Sequence, residues 1–185
     1  MTVNQNVIEA ARIVEGKESD LAQSLETQFK AIAMKLFPEL DWSSNPLEFK
    51  VADGKHVNAC IYSYEKPPVI VIERGLLDFI ENEDELAFVI GHEMGHERIR
   101  STLGYGLGDR VTKTEEASAD IISTLRSAKA GYSYHAGINL FKRIANEIKG
   151  SSKKDVLGAA YNSALDPHPN DGNRIVAMEL SLIHI

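Results

Sequence analysis

The chain holds a single cysteine, Cys60, which excludes an internal disulfide and makes a reducing compartment the expectation. Lacking a cysteine partner, Cys60 reads as a small strand residue and not as a metal ligand. Long apolar runs are also missing. Val69 to Ile72 and Leu86 to Ile90 fall far short of the about 20 residues that span a bilayer, so no transmembrane segment is expected. There is no excess of positive charge: 20 Lys and Arg face 27 Asp and Glu, for a net charge of −7. That balance argues against a nucleic acid or an anionic membrane as partner. Met1 to Asn6 shows no basic stretch leading into an apolar core, so no signal peptide is expected. These absences together point to a soluble, cytoplasmic protein. Repeats and low-complexity tracts are absent as well. What is present is ordinary for a globular protein with a real core: 185 residues, 43% hydrophobic and 25% charged. The length fits a single domain, 1–185, built as two lobes around a cleft.

Helical spacing of apolar residues predicts a short helix over Val7–Val14 and a longer one over Ser19–Phe37, ended by Pro38. Leu47–Val51 and Val57–Tyr62, joined through Asp53-Gly54, read as a hairpin. Val69–Ile72 reads as a third strand of a small, antiparallel-rich sheet, and Gly75–Ile80 as a short helix. A helix over Asp84–Ile99 follows, and residues 1–103 then make an α+β lobe. Three glycines, Gly104, Gly106 and Gly108, turn the chain back into a helical lobe, 104–185. Its expected helices run from Thr112 or Thr114 to Lys129, Tyr134 to Lys149, Val156 to Leu165 and Asn173 to Ile183.

The helix over Asp84–Ile99 carries His92-Glu93-Met94-Gly95-His96. Histidines four apart on a helix lie one above the other on one face, so their imidazoles can converge on a single metal ion. Glu93, next to the first of them, can reach a water on that metal. A hydrolytic zinc site takes three protein ligands and leaves one position for water. Glu116, twenty residues beyond His96 on the following helix, is placed to be the third. Asp120, one turn later, can accept a hydrogen bond from the outer ring nitrogen of a ligand histidine and fix its tautomer. Small residues at Ala117, Ser118 and Ala119, and Gly91 and Gly95 on the zinc helix, allow the two helices to approach closely. The alternative for Glu115 and Glu116 is that both are simply charges favoured by the helix dipole in the first turn.

His92-Glu93-x-x-His96 with Glu116-x-x-Ala119-Asp120 resembles the gluzincin metallopeptidases, and within them the HtpX-like and CAAX-prenyl-protease family. Asn58-Ala59 resembles that family's Asn-Ala strand motif, and Gly75-Leu76-Leu77 leading to Glu85-Leu86-Ala87 resembles its run into the zinc helix. His168-Pro169 followed by Arg174-Ile175 resembles its C-terminal motif. The chain departs from those relatives in having no membrane helix, and in Arg98 and Arg100 where several of them carry a histidine. The resemblance implies a zincin-like fold and one Zn²⁺ held by His92, His96 and Glu116. It places His168 and Arg174 near the cleft as candidate oxyanion donors, and Asn58 and Ala59 on an edge strand that takes an extended protein or peptide substrate.

The function these residues imply is a zinc-dependent endopeptidase in which Glu93 takes the proton of the metal-bound water and passes it to the leaving amine. The alternatives are a catalytically silent or latent zinc-stabilised peptide-binding module, which would have no use for Glu93, and a zinc hydrolase acting on something other than protein. A soluble protease also calls for restraint. The expectation is latency, either by a narrow cleft or by a lid over Gly150–Gly172 with His168 in the open metal position at rest, with an activating or inhibitory protein partner as a further means of control.

Overall fold

The structure is a computed structural model that describes residues 17–103, 112–150 and 173–181. The helix expected over Val7–Val14, the glycine turn after Leu103, the helix expected over Val156–Leu165 and the segment bearing His168 lie outside the described residues. The chain divides into two compact units, Met1–Glu81 and Asn82–Ile185. The helix with His92 and His96 therefore groups with the helical unit and not with the sheet.

In the first unit, α1 (Lys17–Leu36) buries Ala22, Phe29, Ile32, Ala33 and Leu36, a stripe at helical spacing, and packs on β1 (Glu48–Ala52). Phe29 meets Phe49 edge to face, with centroids 6.4 Å apart. Leu21 lies at the margin of the stripe and is exposed. β2 (Ala59–Tyr62) and β3 (Val69–Glu73) complete a three-stranded sheet, and α2 (Arg74–Phe79) packs back on β3.

The expected Asp-Gly hairpin does not form. The strand order is β1-β3-β2, with β3 parallel to β1 and antiparallel to β2, so the sheet is mixed rather than antiparallel-rich. Two physical reasons account for this. Val69 to Glu73 is buried at every position, and an apolar run without alternation belongs at the centre of a sheet, paired on both edges. A two-residue hairpin turn of the Asp-Gly kind also needs positive φ, and among the described glycines only Gly131 has it. Gly54 instead lies against the end of β3. Its carbonyl accepts from the Gly75 amide at 2.8 Å, and a Cβ there would collide with the Glu73 carboxylate.

In the second unit, α3 (Glu83–Leu103) is buried continuously from Glu85 to His96, as a helix is when it is enclosed on all sides. Asn82 Oδ1 accepts from the Glu85 amide at 3.0 Å and caps its first turn. Arg143 of α5 (Ala136–Gly150) forks onto both oxygens of buried Glu85. α4 (Lys113–Lys129) runs antiparallel along α3, and α6 (Asn173–Ser181) packs on α4 and α5. The α3–α4 approach is close because α3 offers glycine where α4 offers small residues. A Cβ on Gly95 would sit 3.0 Å from Ala119 Cα, and one on Gly91 would sit 2.5 Å from Ser123 Oγ. Ser123 Oγ in turn donates to the Phe88 carbonyl at 2.6 Å. Ala119 and Ser123 make the closest approach, while Ala117 and Ser118 are only half-buried. Among the described residues no helix is long and apolar enough to cross a membrane.

Candidate metal centre

The centre lies wholly within the second unit, on α3, α4 and α6. His92 and His96 stack one turn apart on α3, with ring centroids 4.7 Å apart and planes at 87°. Their Nε2 atoms are 3.0 Å apart and face the carboxylate of Glu116, at 3.4 Å from His92 and 3.3 Å from His96. His92, Glu93, His96 and Glu116 are all buried, Glu116 completely.

The outer nitrogens are also held. His92 Nδ1 lies 2.8 Å from Asp120 Oδ1, and His96 Nδ1 lies 3.0 Å from Glu115 Oε1. Each carboxylate has its own guanidinium. Arg174 of α6 donates from Nε and Nη2 to the two oxygens of Asp120, at 2.7 and 2.8 Å, and its Nη1 lies 2.9 Å from Glu116 Oε2. Arg100, on the last turns of α3, donates to Glu115 Oε1 at 3.0 Å. The Arg174 guanidinium also covers the Phe141 ring at 4.5 Å. The α4 N-terminus sets this up: Thr112 Oγ1 accepts from the Glu115 amide and caps the helix, so Glu115 and Glu116 fall in its first turn, where the helix dipole favours negative charge.

The pKa values follow from these partners. Burial pushes the imidazoles of His92 and His96 down, but their hydrogen bonds to carboxylates outweigh it and hold both above the ordinary 6.5. Burial pushes Asp120 up, but hydrogen bonds from Arg174 and His92 outweigh it and hold it below 3.8. Glu115 is likewise raised by burial and brought below 4.5 by hydrogen bonds from His96 and Arg100.

This donor set fits a zinc ion. A neutral imidazole that gives its Nδ1 proton to a carboxylate has only a lone pair at Nε2. Two such lone pairs and a carboxylate therefore converge in buried space, a cluster of acceptors that needs a cation or protons to hold it together. The three ligand atoms lie within 4.8 Å of one another. The two Nε2 atoms are 3.0 Å apart, and each lies 3.3–3.4 Å from a different oxygen of Glu116, Oε1 for His96 and Oε2 for His92. These spacings are of the order found between the ligand atoms of a tetrahedral zinc, roughly 3.3 Å for bonds near 2.0–2.1 Å. Charge points the same way. Three buried carboxylates, Glu115, Glu116 and Asp120, share the guanidinium groups of Arg100 and Arg174, and Glu93 is buried beside them, a surplus of acidic groups that suits a bound cation.

Of the residues singled out in the sequence, the structure brings together His92, Glu93, His96, Glu116, Asp120 and Arg174. Arg174 turns Nε and both Nη atoms onto the two carboxylates, a different set of partners from the oxyanion expected of it. His168 lies outside the described residues. Asn58 and Ala59 are in the first unit, where Asn58 Nδ2 donates to Glu73 Oε1 at 3.2 Å and Ala59 is buried at the start of edge strand β2. The reading of Glu115 as a dipole-favoured charge overlooked its contact with His96. The signal available was Arg100, four residues beyond His96 on the same helix face and opposite in charge to Glu115.

Residues 22–103 match the sequence model of Peptidase family M48. That segment includes α3 with His92, Glu93 and His96 and ends before α4, so the match does not reach Glu116, Asp120 or Arg174. No curated protein matches the chain.

Proposed function

We propose that the protein is a zinc-dependent endopeptidase with a gluzincin-type centre: His92, His96 and Glu116 hold the ion and Glu93 is the general base. The observation that carries this reading is the buried convergence of His92 Nε2, His96 Nε2 and the Glu116 carboxylate, with a second carboxylate beside Nδ1 of each ring. The match of residues 22–103 to Peptidase family M48 supports the reaction class. When bound, zinc would acidify a water molecule and polarise the scissile carbonyl.

The chain's own groups do the rest. Glu93 accepts the proton of the attacking water and returns it to the amine nitrogen as the C–N bond breaks. Asp120 keeps the His92 proton on Nδ1, so Nε2 presents its lone pair. Arg174 fixes Asp120 and Glu116 together, which makes it a positioning residue in this scheme. Among the described strands β2, which begins at Ala59, is an edge strand, and a strand edge can pair with an extended peptide through its backbone.

The test is cleavage of casein by the protein loaded with one equivalent of zinc, against the same protein stripped by a chelator. Cleavage that appears with zinc and vanishes with the chelator is expected. Tight zinc binding with no cleavage of casein or of short unstructured peptides would leave a zinc-stabilised binding module and sink the peptidase reading.

A further inference from the structure

We infer that Glu115, braced by Arg100, is a positioning residue for His96, so that the metal centre rests on two parallel relays, Arg174–Asp120–His92 and Arg100–Glu115–His96. The inference rests on the zinc reading above. It goes beyond it in assigning roles to Glu115, which lies outside the matched segment, and to Arg100, which lies outside the His-Glu-x-x-His motif.

The geometry separates Glu115 from an ordinary helix-start charge. Such a charge is solvated and interacts with the dipole alone. Glu115 is instead buried, and one of its oxygens, Oε1, faces both His96 Nδ1 and Arg100 Nε at 3.0 Å each. Arg100 is available because α3 continues through Leu103, which puts it one turn beyond His96 on the same face. The imidazole and the guanidinium thus come from one helix, and the carboxylate that joins them comes from the next.

The chemical consequence concerns the tautomer. His96 can ligate through Nε2 only if its remaining proton sits on Nδ1, and an acceptor at Nδ1 selects that form and strengthens Nε2 as a donor. Asp120 supplies the acceptor for His92, and Glu115 supplies it for His96. The guanidinium on each carboxylate keeps it oriented and offsets the cost of its burial.

The experiment compares wild-type protein with Glu115→Gln, Glu115→Ala and Arg100→Gln. It reads zinc affinity by competition with a chromogenic chelator. It also reads the His96 tautomer from its ring ¹⁵N shifts in metal-free protein, at a pH where the imidazoles are neutral. Glu115→Ala should weaken zinc binding by about 10- to 100-fold and move His96 from the Nδ1–H form to a mixture, with His92 unchanged. Glu115→Gln, which keeps size and one acceptor oxygen, should lose less, and Arg100→Gln should lose less again. If Glu115→Ala does not fold, the isosteric Glu115→Gln variant decides. Unchanged zinc affinity and an unchanged His96 tautomer in the Glu115 variants, with wild type binding zinc, would overturn the inference and leave the zinc reading standing. If the wild type binds no zinc, both fall.

Discussion

At the scale of single residues, the centre is a set of buried charges that exist only because each has a partner. Arg174 is 4% exposed and serves both Asp120 and Glu116, which are fully buried. Its replacement by methionine leaves two carboxylates without their cation, and removing one partner of a buried ion pair costs about 3–5 kcal/mol. Urea unfolding of Arg174→Met should show a loss of that order, while a loss under about 1 kcal/mol would contradict a bracing role. The titration of the centre predicts an unusual pH dependence for the metal-free protein. His92 and His96 are held above 6.5, so their contribution to stability is full below that value and is lost as pH rises through the raised values. Asp120 and Glu115 are held below 3.8 and 4.5, so theirs is full above those values and is lost as pH falls. The metal-free protein should therefore melt higher at about pH 5.5 than at about pH 8.5. Added zinc, which needs neutral imidazoles, should restore stability mainly at the higher pH. Thermal unfolding with and without a chelator checks both halves, and a metal-free melting temperature that rises between the two pH values would contradict the account.

At the scale of elements, the centre depends on how closely α3 and α4 lie. Gly95 against Ala119 and Gly91 against Ser123 set that distance, and His92 and His96 on one helix face Glu116 on the other across the same seam. A Gly95→Leu side chain has no room there and would force the helices apart. The expected cost is about 3 kcal/mol from overpacking, together with loss of tight zinc binding as Glu116 moves away from His96. Tight zinc binding retained by a destabilised variant would show that the ligands do not depend on this contact. Helix periodicity made most of this seam legible beforehand: the His-x-x-x-His spacing, the carboxylates one turn apart on α4 and the small residues between the helices are all local patterns. The sheet was less legible. Asp53-Gly54 carries a hairpin's turn chemistry, yet β3 takes the place between β1 and β2, because a strand buried at every position competes better for two neighbours than a turn dipeptide does for one. Glu115 was hidden for a related reason. Its role depends on α3 running past Ile99 to deliver Arg100, and helix ends are poorly marked in sequence.

At the scale of the whole molecule, the chain spends an enclosed helix, an excess of buried negative charge and two guanidinium groups on one small volume. That arrangement is costly for a metal-free protein and natural for one that folds around an ion. Zinc removal should therefore lower stability as well as abolish activity. At free zinc a hundredfold above its dissociation constant, the native state gains about 2.7 kcal/mol, so the melting temperature should rise with zinc and fall on chelation, reversibly. A melting temperature indifferent to zinc would mean that His92, His96 and Glu116 do not bind it in the folded state.

The central claim is that Glu93 is the base of a zinc peptidase. It is tested most directly by zinc-loaded wild type and Glu93→Gln assayed side by side on casein, with bound metal measured in both. The account predicts equal zinc content and a loss of cleavage of about 10²- to 10⁴-fold in the variant, the range contributed by a positioned general base. Equal zinc content with undiminished cleavage would contradict it.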